Sequence, residues 1–156
     1  MKTINCLFFI IIIASGCSAN KNYLGSARDR ADLERTNDGI HKAFQDGNVP
    51  AIESYHHPDV IKAFSYNNYL PGRDTVAVGL TETLKANKLE FVENKVENTL
   101  IQGKTAVQQY LFTIKISPKN GDKPFLYKGR SIVVYVRYNK SPTGWASIRE
   151  VVQNAP

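Results

Sequence analysis

The residue best placed to do chemistry in this chain is Glu150. Strict alternation along Trp145 to Gln153 puts Ala146, Ile148, Glu150 and Val152 on one side of a strand. A carboxylate among apolar neighbours is costly to bury unless it is paired. Arg130 is the expected partner: in a regular hairpin across Asn139 to Thr143, Tyr138 faces Gly144, Ile132 faces Glu150, and Arg130 lies one diagonal step away. Either the pair orients a polar ligand, with Glu150 able to serve as a general acid or base, or it is a structural ion pair. His56 and His57 carry imidazoles that titrate near neutrality. Adjacent histidines seldom point the same way, so His57 is weighed as pocket-facing against simple loop packing. His41, beside Lys42, is expected on a solvated face. The two cysteines, Cys6 and Cys17, form no metal-ligand pattern with histidine, and no metal or cofactor is expected.

The elements that position these residues follow from periodicity. Between Ala27 and Phe44, Leu33, Ile40, Ala43 and Phe44 fall near helical spacing. Gly47 suits the left-handed position after a helix, and Asn48 can cap a second short helix with Pro50 in its first turn. Val60 to Tyr66 reads as a strand, and Asp74 as the N-cap of a third helix, Thr75 to Ala86. Four long strands then follow, Lys88 to Ile101, Thr105 to Ile116, Phe125 to Tyr138 and Trp145 to Gln153, rich in Val, Ile, Thr, Tyr and Phe. The stretches between them carry turn chemistry. Helices first and strands later predict an α+β fold: a curled antiparallel sheet with three helices on its concave face, leaving a cavity at the open end.

The N-terminal segment has the three parts of a secretory signal: a basic start at Lys2, an apolar run from Cys6 to Ala14, and small residues before Cys17. The run falls short of the roughly 20 apolar residues that span a bilayer. Ala14-Ser15-Gly16-Cys17 resembles the lipobox of bacterial lipoproteins. That resemblance implies cleavage before Cys17, lipid on its thiol, and a membrane partner reached through that lipid. The expected layout is a signal over residues 1–16, a lipidated tether over 17–26 and one domain over 27–156. Ser18 after the cysteine points to the outer membrane, facing the periplasm, in a Gram-negative host. A short tether favours lipid-derived or envelope molecules as ligands. The net charge of +6 is spread without a basic block, and no nucleic-acid partner is expected.

Several local motifs, in order, resemble the nuclear transport factor 2-like superfamily, which includes SnoaL-like and ketosteroid-isomerase-like proteins. They are Ala43-Phe44-Gln45-Asp46-Gly47-Asn48, His57-Pro58-Asp59-Val60, Gly72-Arg73-Asp74, Gly129-Arg130-Ser131-Ile132-Val133-Val134 and Gly144-Trp145-Ala146-Ser147-Ile148-Arg149-Glu150. The resemblance implies a cone-shaped pocket. Isomerase-like members place a tyrosine and two acids there, at positions that align near Ile40, Ala63 and Val134, so that chemistry is not expected. Arg73 and Asp74 are expected to serve the turn and helix cap rather than an epoxide-hydrolase-like set. For Thr105 to Ile116 the alignment favours the Val107, Gln109, Leu111, Thr113 face for the pocket, and hydrophobicity favours Gln108, Tyr110, Phe112, Ile114. The candidate ligand-binding set is Glu150, Arg130, His57, Tyr66, Gln109, Val134 and Ile148. The resulting expectation is a lipid-anchored protein that binds a small apolar or amphipathic molecule. The alternatives are an enzyme using Glu150 as acid or base, or a structural module that forms a homodimer through the sheet.

Overall fold

The computed structural model describes residues 24–155; the signal segment, Cys17 and most of the tether lie outside the described residues. Helix α1 (Ala27–Gln45) opens with a reciprocal cap. The Ser26 hydroxyl accepts from the Asp29 amide at 3.0 Å, and the Asp29 carboxylate accepts from the Ser26 amide at 3.0 Å. Its buried stripe runs through Asp32, Leu33, Thr36 and Ala43. Helix α2 (Val49–Glu53) is capped by Asn48, whose side chain accepts from the Ala51 amide at 3.1 Å. Helix α3 (Arg73–Ala86) starts two residues before the sequence expectation. Its N-cap is Gly72, at φ 84°, with no side-chain cap bond, so Asp74 sits inside the first turn instead of capping it. A left-handed backbone there is open to glycine at little cost. Among the described residues no helix is long and apolar enough to cross a membrane.

Six strands form one sheet in the order β2-β1-β6-β5-β4-β3. Strand β1 (His56–Ala63) begins four residues earlier than expected, and β2 (Tyr69–Pro71) was not expected at all. The long strands β3 (Asn87–Gln102), β4 (Thr105–Pro118), β5 (Phe125–Arg137) and β6 (Trp145–Asn154) lie within two residues of their sequence readings. All neighbours are antiparallel except β1 and β6, which run parallel. Pairing of β1 with β6 breaks between His56 and Ile61. Pro58 stands in that gap, where its missing N–H costs no ladder bond.

One end of the cone is plugged. Leu33 of α1, Ile101, Ala106, Tyr110, Val133, Tyr135 and Trp145 form a buried cluster there. Arg137 closes it from above: its guanidinium lies 4.1 Å from the Trp145 ring centroid and is ion-paired with Asp29 and Asp32 of α1. Leu24 bridges in parallel to Ile101 at this same end, where α1 begins. The other end, where β3 starts and β4 finishes, is hollow.

Candidate functional site

The hollow end is a cavity of about 600 Å³. Its walls are Ile40 and Phe44 from α1, Val76 and Leu80 from α3, and Leu89, Phe91, Phe112, Ile114, Ile116, Val133 and Val152 from the sheet. Ser65, Asn68, Thr83 and Asn154 line the cavity and are themselves exposed, so they mark its mouth. The face of β4 that looks inward is the one hydrophobicity favoured, with Tyr110, Phe112 and Ile114 in the wall, continued by Ile116.

Polar groups gather inside these walls. Glu150 on β6 faces the cavity together with Val152, but its partner is Lys62 of β1, 2.5 Å away. The side chains of Lys62 and Glu150 are 10% and 19% exposed, so the pair is largely shielded from water. Deeper in, Tyr110 and Tyr135 share a hydrogen bond of 2.9 Å, and both hydroxyls reach Asn37 Oδ1, at 2.7 and 3.1 Å. Gln108 accepts from Tyr110 and from Asn37 Nδ2 and donates to Thr99 Oγ1 at 3.0 Å, so this network satisfies itself. Burial pushes both phenols above their ordinary value, and the nearby Glu150 carboxylate adds to it. They act as neutral hydrogen-bonding groups.

His56, 1% exposed, also lines the cavity. Burial, with the Lys62 ammonium adding to it, holds its ring well below the ordinary imidazole value, against the pull of the Ile52 carbonyl. The ring is neutral at physiological pH. Its Nδ1 and the hydroxyl of Ser147, a residue 2% exposed that also lines the cavity, are buried without a hydrogen-bond partner among the described residues. His41 likewise belongs to the wall and not to a solvated face: it packs on the Phe91 ring at 4.7 Å and meets Asn94 at 2.6 Å.

Most of the other sequence candidates lie elsewhere. Arg130 is on the convex face, bound to Glu97 at 3.0 Å, and Gln109 joins the same carboxylate at 3.0 Å. The cause is a β-bulge. The expected register holds from Arg137↔Trp145 to Tyr135↔Ser147, then slips one residue at Ile148, so Glu150 pairs with Val133 rather than Ile132. The slip turns Ile148 out of the lining and reverses the face of every β5 residue relative to Glu150. Val134 therefore points away from the cavity and Val133 into it. Tyr66 is 99% exposed in the loop after β1. His57 packs edge-on against Tyr138 at 5.0 Å, outside the cavity. Ile40 lines the cavity, but beside the aligned positions Ala63 and Val134 the residues facing it are Lys62 and Val133. Lys62 was readable by the rule that singled out Glu150, since it alternates with Val60 and Phe64. His56 and Ser147 gave no such signal.

This arrangement, a six-stranded curved sheet with N-terminal helices around a one-ended cavity, is the nuclear transport factor 2-like fold. Neither a protein-family model nor a curated protein matches the chain. Solved structures do. A conserved protein from Planctomyces limnophilus superposes with a TM-score of 0.73 at 15% identity, covering 81% of this chain and 98% of its own. A ketosteroid isomerase-like protein from Erwinia carotovora gives 0.72 at 11% identity, covering 84% and 100%. A nuclear transport factor 2-like superfamily protein from Salmonella enterica gives 0.66 at 12% identity, covering 83% and 94%. At such identities the likeness is one of fold.

Proposed function

We propose that this chain is an exported, lipid-anchored cone domain whose cavity binds a small amphipathic molecule. The observation that carries the reading is the cavity itself: about 600 Å³, walled by apolar side chains, with polar groups gathered inside it. Its volume falls in the range of small-molecule sites, and an apolar wall with a few convergent polar groups suits a ligand with a greasy body and one polar end. Attachment through lipid on Cys17, with the outer membrane as its location in a Gram-negative host, completes the proposal and rests on the sequence alone. A homodimer through the convex sheet face is also part of the proposal, supported by the exposure there of the paired Ile132 and Val151. Native mass spectrometry of protein purified from its host membrane tests the binding reading. A co-purifying small molecule released on unfolding is expected, and protein carrying none, with no uptake from host lipid and metabolite extracts, overturns it.

A second reading has one observation in its favour. Lys62 and Glu150 form an ion pair inside an apolar cavity, the setting in which a carboxylate and an amine can act on a bound substrate. Conversion of the co-purified molecule by wild-type protein, and not by Glu150→Gln, would establish catalysis; equal persistence with both excludes it.

A further inference from the structure

The polar groups of the cavity are not equally free. The Tyr110, Tyr135, Asn37 and Gln108 groups bond one another. The Lys62 ammonium is held by Glu150. Of the cavity-lining residues, those with a wholly buried side-chain polar atom left without a partner among the described residues are His56 and Ser147. They stand opposite each other in the β1–β6 register, and the Ser147 amide donates to the Tyr55 carbonyl at 2.9 Å, fixing the backbone between them. Both side chains are more than nine-tenths buried, both line the cavity, and His56 Nδ1 and Ser147 Oγ have no partner among the described residues. The third such atom, Trp145 Nε1, belongs to the plug rather than to the cavity. Buried polar atoms in folded proteins are nearly always bonded, so two unspent ones side by side in a cavity wall point to an outside partner.

Building on the ligand-binding reading above, we infer that His56 and Ser147 are the polar seat of this cavity and select a ligand that presents a neutral hydroxyl group. A neutral imidazole whose N–H faces the Ile52 carbonyl leaves Nδ1 as an acceptor, and a serine hydroxyl offers one donor and two lone pairs. An alcohol or phenol, itself one donor with two lone pairs, satisfies both at once. An anionic head group does not fit as well. Lys62, the ammonium that lines the cavity among the described residues, is already neutralised, and the Glu150 carboxylate beside it repels a second anion. A purely apolar ligand leaves both atoms unsatisfied.

Three probes sharing one skeleton test this: naphthalene, 2-naphthol and 2-naphthoate, titrated against the folded domain near neutral pH by their own fluorescence. The expected result is that 2-naphthol binds about tenfold or more tightly than the other two. Ser147→Ala and His56→Phe should each remove most of that preference. Ser147→Ala is the safer variant, because it removes one oxygen without altering the packing. If none of the three probes binds, the inference about the hydroxyl group is overturned, and the binding reading is decided separately by the native mass spectrometry above. If they bind but equally, if 2-naphthoate binds best, or if Ser147→Ala keeps the preference, the inference about the hydroxyl group is overturned and the binding reading stands.

Discussion

Lys62 and Glu150 stand directly opposite each other on the parallel β1–β6 strand pair, with the ammonium 2.5 Å from the carboxylate. Removing one member leaves the other charged and nearly dry, which costs about 3 kcal/mol in comparable buried pairs. Lys62→Met and Glu150→Leu are each expected to destabilise the domain by about that much. The double variant should lose clearly less than the sum, since no orphan charge remains. Urea unfolding of the four proteins measures the coupling, and simple additivity would show that the pair is not a unit.

The two cavity histidines set a pH dependence. His56 and His41 both have ring pKa values below the ordinary 6.5, chiefly through burial. The unfolded chain therefore binds more protons than the folded one just below that value, and stability rises with pH there. Stability should be level above about pH 7 and fall as pH drops below 6.5 towards the lowered folded values. The slope approaches about 1.4 kcal/mol per pH unit for His56, whose shift is the larger, and is smaller for His41. Urea midpoints across this range should show a shallower slope in His56→Phe than in wild type.

Arg137 joins α1 to the plugged end by charge and by stacking. Arg137→Met is expected to lower stability by about 2 kcal/mol, seen as a drop of several degrees in Tm. Arg137→Lys should recover less than half of it, because an ammonium lacks the flat fork that reaches Asp29 and Asp32 while lying over Trp145.

Gly129 has no room for a side chain. A Cβ there would lie 2.4 Å from the Gln153 carbonyl oxygen of the neighbouring strand and 3.0 Å from the Phe112 ring. Gly129→Ala should cost about 1–3 kcal/mol by prising β5 from β6, with faster amide exchange at the Gln153 end of β6 as the local sign.

Membrane attachment is tested at the sequence level. Cys17→Ser should move the protein from the membrane fraction to the soluble exported fraction with the fold unchanged. Retention on membranes would sink the lipid-anchor proposal.

The helices were readable by their period, as with Leu33 and Ala43 on α1, and the long strands by their richness in Val, Ile, Thr, Tyr and Phe. Strand β2 was not, being three residues bounded by asparagines and glycine. The face of β4 stayed ambiguous because both sides are rich in apolar residues, Val107 and Leu111 against Phe112 and Ile114. Glu150 was found because a charge on an apolar face stands out in any register. Its partner was missed because register is a long-range property: the single extra residue at Ile148 moved Arg130 to the outside and left the inner position to Lys62, 88 residues away in sequence. His56 and Ser147 are invisible to pattern reading, since only the β1–β6 pairing brings them together.

The short bridge between Leu24 and Ile101 fixes more than a chain end. It brings the polypeptide in at the plugged tip of the cone, while Ser65, Asn68, Thr83 and Asn154 ring the opposite end. Only seven peptide steps separate Cys17 from Leu24, a reach of at most about 25 Å. Suspended from Cys17, the domain would hang tip-first from the bilayer like a bell turned outward. Its guests would then be drawn from the aqueous space it faces, not from the lipid it is fastened to, which reverses the preference for lipid-derived ligands that the short tether alone suggested.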